Sequence, residues 1–244
     1  MKSAKDKLII ALDVDTSDLA LELFATLRDV AGTFKIGMQL FTAVGPEIVR
    51  QIIAKGGRVF LDLKFHDIPN TAAAAGVGAT RLGVSIFNVH ASGGIEMMKR
   101  TAEAVAETAS REGLTKPAVV AVTALTSLDS FALDQIGIHT EMNAFVNTLA
   151  HAALVSGLDG VVASPREIAS IRQEINDEDY LVIAPGIRPH NTTADDQCRV
   201  MTPTEAIRAG ADFIVVGRPI VNANNPVDAA RRVIEEIEAA PGDH

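Results

Sequence analysis

Short apolar and β-branched runs alternate with longer stretches of helical periodicity from one end of the chain to the other. The runs lie near Leu8–Asp13, Thr33–Gly37, Arg58–Lys64, Ser85–His90, Ala118–Thr123, Gly160–Ala163, Tyr180–Ala184 and Asp212–Gly217. Strands separated by helices predict parallel pairing with helical crossovers, because a parallel connection needs about a dozen residues or more. Eight such strands in 244 residues, close to the roughly 250 typical of the architecture, predict an α/β protein built as a single (β/α)8 TIM barrel. An open doubly wound sheet is the competing arrangement. No Pro- or Ser-rich linker and no charge run divides the chain, so residues 1–244 read as one domain.

The helix ends support the same count. Asn225 is placed to cap a final helix that opens with Pro226, and Val227, Ala230, Val233, Ile234 and Ile237 mark its inner face. Between Pro46 and Ala54 the stripe Ile48, Val49, Ile52 and Ile53 is followed by Gly56-Gly57, which suits a left-handed helix end. Ser92 is expected to cap the helix after Gly93-Gly94.

One stretch departs from the apolar pattern. In Phe60-Leu61-Asp62-Leu63-Lys64-Phe65-His66-Asp67-Ile68-Pro69-Asn70-Thr71, strand alternation puts Phe60, Asp62 and Lys64 on one face and Leu61, Leu63 and Phe65 on the other. An anion and a cation thus point into the same interior, where desolvation is costly unless the charges are paired or used. Asp67 follows just past the strand end. A lone Asp-x-Lys is commonly a structural ion pair; the added charge and the strand-end position favour a site.

Other strand ends add polar groups. After the seventh strand comes a long polar connection, from Pro185-Gly186-Ile187-Arg188 through Gln197 and Cys198 to a helix expected near Thr202 or Pro203. Structureless connections beyond about 12–15 residues are uncommon and often functional. The eighth strand ends in Val216-Gly217-Arg218-Pro219. Glycine lets backbone N–H groups approach an oxyanion, and guanidinium groups fork onto phosphate oxygens. Arg188, Gln197, Gly217 and Arg218 together therefore read as a phosphate clamp, at the strand ends where barrel enzymes often hold one. Asp13, Lys35 and Thr126 stand at or near other strand ends, and His90 receives no role.

Composition narrows the setting. With 22 basic and 31 acidic residues the net charge is -9, which argues against a nucleic-acid surface. The single cysteine excludes an intramolecular disulfide and fits a reducing compartment. The apolar run Leu8–Leu12 ends at Asp13, too short for a signal segment, and nothing approaches a membrane span, so the expected location is the cytoplasm. Dinucleotide, P-loop and zinc motifs are absent. A metal on Asp62 and Asp67 would compete with the lysine between them, so neither metal nor cofactor is expected.

The stretches Asp62-Leu63-Lys64-Phe65-His66-Asp67-Ile68-Pro69-Asn70-Thr71, Leu125-Thr126-Ser127, Ala184-Pro185-Gly186-Ile187-Arg188-Pro189 and Val216-Gly217-Arg218-Pro219 resemble the orotidine 5'-phosphate decarboxylase family over nearly the whole length. The resemblance implies a barrel homodimer with two sites at the subunit interface, converting orotidine 5'-monophosphate to uridine 5'-monophosphate without metal or organic cofactor. It implies that Lys64 donates the proton to C6, flanked by Lys35, Asp62 and Asp67 of the partner subunit. By the same resemblance Asp13 and Thr71 of the partner subunit hold the ribose, Thr126 reads the pyrimidine amide, and Arg188, Gln197, Gly217 and Arg218 hold phosphate. The chemistry is coherent, because an ammonium both stabilises charge left at C6 and supplies a proton, and neighbouring carboxylates favour its charged form. Magnesium-dependent sugar-phosphate decarboxylases and aldolases of the same superfamily share the Asp-x-Lys-x-x-Asp pattern, and a non-catalytic phosphate-binding barrel is the alternative of another class.

Overall fold

The computed structural model describes residues 3–190 and 201–240. Eight parallel strands close into a barrel in sequence order: β1 (Leu8–Ala11), β2 (Thr33–Gly37), β3 (Val59–Phe65), β4 (Ile86–His90), β5 (Ala118–Val122), β6 (Gly160–Val162), β7 (Leu181–Ala184) and β8 (Phe213–Val216), with β8 pairing back to β1. The open doubly wound sheet is therefore excluded.

Strand alternation sorts the apolar residues into two separate layers. Outward-facing Ile10, Phe34, Ile36, Leu61, Phe87, Val119, Val161, Val182 and Ile214 pack beneath the helices. Inward-facing Ile9, Ala11, Phe60, Ile86, Val120, Val122, Val162, Ile183, Phe213 and Val215 fill the barrel itself. Each large side chain among them, fully buried, contributes roughly 1.5–3 kcal/mol. Parallel strands covered on both faces need this near-continuous apolar content, and it is what the runs in the sequence supply.

Helix termini follow local chemistry. The helix Pro226–Glu238 is capped by Asn225, whose side chain accepts from the Asp228 N–H, and Ala230, Val233 and Ile237 are buried. The helix Glu47–Ala54 buries Ile48, Val49 and Ile52, and Gly56 is left-handed at φ 82°. The expected cap at Ser92 is corrected: Ser92 lies in a 3-10 turn, Ala91–Gly93, and Gly94 at φ 88° precedes the helix Ile95–Glu112 with no side-chain cap. The helix is entered through a residue at positive φ, a conformation open to glycine and rare for serine. Thr202 forms a capping box with Glu205 at the start of the helix Pro203–Arg208. The long connection before it is closed at its base, since Ile187 bridges Met201 and the Arg188 N–H donates to the Met201 carbonyl at 2.9 Å. Gln197 lies outside the described residues. Among the described residues no helix is long and apolar enough to cross a membrane.

Candidate active site

Along three neighbouring strands the inward positions change character from the bottom of the barrel to the top. In β3 the order is Phe60, Asp62, Lys64; in β4 it is Ile86, Asn88, His90; in β2 it is Thr33, Lys35, Gly37. Register brings them level, with Lys35 beside Phe60 and Gly37 beside Asp62. Charges therefore gather at the C-terminal mouth, above an apolar floor.

The charges form an alternating row. Lys35 Nζ lies 3.0 Å from Asp13 Oδ1 and 3.1 Å from Asp62 Oδ2, and Lys64 Nζ lies 2.7 Å from Asp62 Oδ1. Lys35 and Asp62 are each only 9% exposed. Burial alone would raise the Asp62 carboxyl, but the ammonium groups of Lys35 and Lys64, with hydrogen bonds from Lys64 and Asn88, hold it below the ordinary value. Burial likewise opposes the charge on Lys35, and Asp62 and Asp13 outweigh it, so its affinity for the proton rises. Both residues stay ionised at neutral pH.

Lys64 has the sole positive φ of any non-glycine among the described residues, 52°, a conformation costing roughly 1–2 kcal/mol for an L-residue. The β3–β4 ladder shifts register between Leu61 and Phe65 at the same place. Alternation nevertheless holds, and Lys64 shares the inward face with Asp62 as the sequence predicts. Above it the rings of His66 and His90 lie 5.3 Å apart. Burial, then His66 and the Lys64 ammonium, lower the His90 pKa against the opposing pull of Asp62, so the ring is neutral at neutral pH.

Two contiguous cavities open over this row. One, of about 140 Å3, is lined by Lys35, Phe60, Asp62, Lys64, Val122 and Thr126 among others. The second, of about 210 Å3, shares Lys35, Asp62, Pro185 and Val215 with the first and adds Asp13, Gly186, Arg188, Gly217 and Arg218. Thus Asp13, Lys35, Asp62, Lys64, Thr126, Arg188, Gly217 and Arg218 come together at one mouth, carboxylates and ammoniums at one end and guanidinium groups at the other. Asp67 and Thr71 do not line either cavity of their own chain. Asp67 is exposed, and its Oδ1 accepts the Ile68 N–H at 2.6 Å; Thr71 is exposed in the first turn of the helix Pro69–Leu82. Within one chain, Asp62 is the carboxylate that Lys64 meets, at 2.7 Å.

Sequence reasoning missed Asn88 and Gly37. Asn88 is fully buried, donates from Nδ2 to Asp62 Oδ1 at 2.7 Å, and accepts the Lys64 N–H on Oδ1 at 2.8 Å. Its signal was available: an amide at an inward position of a strand, between the apolar Phe87 and Val89. Gly37 leaves room for the Lys35–Asp13 pair, since a Cβ there would sit 2.9 Å from Lys35 Nζ and 3.1 Å from Asp13 Oδ1.

The fold and site define a barrel with an ion-paired lysine at its C-terminal mouth and guanidinium groups lining the adjoining cavity. The family model described as "Orotidine 5'-phosphate decarboxylase / HUMPS family" matches residues 6–233, and the chain belongs to that family. It is 50% identical over 237 residues, covering 97% of both chains, to the orotidine 5'-phosphate decarboxylase of Syntrophotalea carbinolica. It is 51% identical over 238 residues to that of Geobacter sulfurreducens, covering 97% of this chain and 98% of the relative. The crystal structure of the orotidine 5'-phosphate decarboxylase from Lactobacillus acidophilus superposes with a TM-score of 0.83 at 34% identity, covering 96% of this chain and 100% of the other.

Proposed function

We propose that the protein decarboxylates orotidine 5'-monophosphate to uridine 5'-monophosphate in pyrimidine biosynthesis, using no metal or organic cofactor, in the cytoplasm. The observation that carries this reading is the Lys64 ammonium, 2.7 Å from Asp62 at the wall of one cavity, beside a second that shares Lys35 and Asp62 with it and is lined by Arg188, Gly217 and Arg218. The C6–carboxylate bond breaks, carbon dioxide leaves, and the electron pair stays on C6 in an orbital that the ring does not delocalise. Lys64 stabilises that charge and gives C6 its proton, leaving a neutral amine that solvent reprotonates. Asp62 holds the ammonium in place and keeps it paired before substrate arrives, and Lys35 in turn steadies the Asp62 carboxylate. Asp13 holds ribose hydroxyls, Thr126 reads the pyrimidine, and Arg188, Gly217, Arg218 and Gln197 grip phosphate, so that binding energy remote from C6 is used in the transition state.

The proposal includes a homodimer in which Asp67 and Thr71 of the partner subunit complete the site. Its support is twofold. Within one chain the row ends on Lys64, which has a single carboxylate partner among the described residues. Beside it, exposed Met38, Ile68, Ile95 and Leu125 follow β2, β3, β4 and β5 and make one side of the mouth apolar, as a covered interface requires. The test is the loss of orotidine monophosphate absorbance with purified protein in excess chelator. Turnover is expected; no turnover, or turnover abolished by chelator and restored by magnesium, overturns the proposal.

A further inference from the structure

The left-handed backbone of Lys64 raises the question of what holds it. A strained residue persists only where its surroundings over-determine it, and here the neighbouring strand supplies the restraint. Where the β3–β4 ladder slips, the Lys64 N–H points at the side-chain oxygen of Asn88, 2.8 Å away. The amide nitrogen of the same side chain donates at 2.7 Å to Asp62 Oδ1, the oxygen that also meets Lys64 Nζ. The amide orientation is fixed by these partners, because a flipped Asn88 would set its NH2 against an N–H and its oxygen against a carboxylate. Asn88 has no exposed surface, so bulk water does not compete for either bond.

We propose that Asn88 is the positioning residue of the site: one neutral side chain ties the backbone of Lys64 to the carboxylate of Asp62 and so fixes where the ammonium points. Asn88 lines neither cavity, so it acts through the two charged residues and not on substrate. An amide is suited to the place. It offers one donor to a carboxylate and one acceptor to an N–H without adding charge to a row that already balances. The inference rests on the decarboxylase reading for its kinetic consequences but not for its structural ones.

Two variants separate positioning from mere support. Asn88→Leu removes both bonds at similar volume. Leaving a buried N–H unsatisfied and a carboxylate short of a donor should lower kcat roughly tenfold to a hundredfold, with KM changed less than about threefold, since the phosphate end is untouched. Asn88→Asp keeps the shape and gives a signature in pH. The introduced carboxyl faces Asp62 and Lys64 from β3, Lys35 from β2, His90 on its own strand and His66 above it, while β5 presents only Val120 and Val122. With one proton between them, the new carboxyl donates to Asp62 and accepts from the Lys64 N–H, reproducing both native bonds. Without it, two carboxylates repel. Like charges in contact raise the pair's apparent pKa, so kcat of Asn88→Asp should climb relative to wild type as pH falls and drop as pH rises.

Wild-type kcat for Asn88→Leu, a fall confined to KM, or an Asn88→Asp profile parallel to wild type overturns the inference. If Asn88→Leu does not fold, Asn88→Asp decides alone. A crystal structure of either variant supplies a test independent of turnover. Lys64 should leave positive φ or lose contact with Asp62, and a Lys64 unchanged in both respects refutes the role even if wild type proves inactive on orotidine monophosphate, a result that would by itself overturn only the decarboxylase reading.

Discussion

The proposed shared site is open to a decisive mixing experiment. Take Lys64→Ala and Asp67→Asn, each purified and each expected to be nearly inactive. The structure indicates that both lesions stay local. Without the Lys64 side chain, Asp62 keeps Lys35 at 3.1 Å and Asn88 at 2.7 Å. Asparagine at position 67 retains an oxygen for the Ile68 N–H that Asp67 meets at 2.6 Å. When the two proteins exchange subunits at random in equal amounts, about half of the dimers are mixed, and a two-fold interface pairs the same residues on both sides. In a mixed dimer one site then combines both lesions and the other combines intact Lys64 with the intact Asp67 of the partner subunit. One good site in two, in about half the dimers, gives about a quarter of wild-type activity. At a three-to-one ratio the same counting gives about three-sixteenths, so the recovery should follow the product of the two fractions. The assay is decarboxylation followed by absorbance, with exchange verified by mass spectrometry of differently tagged subunits. If exchange is complete and activity stays at the level of the separate variants, Lys64 and Asp67 serve the same chain's site and the shared arrangement is wrong.

Three further outcomes follow from the same geometry. Arg218→Ala should weaken turnover of the phosphorylated substrate by about a hundredfold or more, at the strength of a charge-assisted contact, and leave the phosphate-free nucleoside nearly unaffected; comparing kcat/KM for both checks it, and equal losses would make Arg218 structural. Gly37→Ala drives a methyl to within 2.9 Å of Lys35 Nζ, so it should separate Lys35 from Asp13 and raise KM, with a crystal structure showing the pair parted. Asp62→Asn leaves the half-buried Lys64 ammonium without its carboxylate and buried Lys35 with Asp13 alone, and should cost about 3 kcal/mol in urea unfolding at pH 7. Because the folded Asp62 carboxyl titrates below its ordinary value, its contribution is present above the unfolded value and is lost as pH falls through the folded one. The gap between wild type and Asp62→Asn should therefore narrow below about pH 4; a gap unchanged by acid would show that charge is not its source.

How much of this could be read from the sequence depends on whether the determinant was local. Alternation in β3 placed Asp62 and Lys64 inward and Leu61 and Leu63 outward, and the structure agrees. Asn225, with Pro226 behind it, announced its helix correctly because capping is settled within one turn. Predicted strand ends ran long, to Asp13 and Gly217, whereas β1 stops at Ala11 and β8 at Val216, because the residues at the mouth turn toward the cavity once pairing ends. The left-handed Lys64 could not be read at all. Propensity assigns a lysine in an apolar run to the extended region, and only the slipped register with β4 and the Asn88 amide override it.

The two apolar layers have a consequence for how such a chain can change over time. Outward residues of a strand touch the helices and inward residues underlie the ionic row, and the two sets are distinct clusters that meet only through the strand backbone. Leu61 and Phe60 are adjacent in sequence yet belong to different neighbourhoods. Substitutions that retune thermal tolerance can accumulate at the first kind of position without altering the dielectric beneath Lys64, and substitutions that retune the ionic row need not disturb helix packing. Selection on endurance and selection on chemistry therefore act on alternate residues of the same strand, and either can proceed while the other stands still.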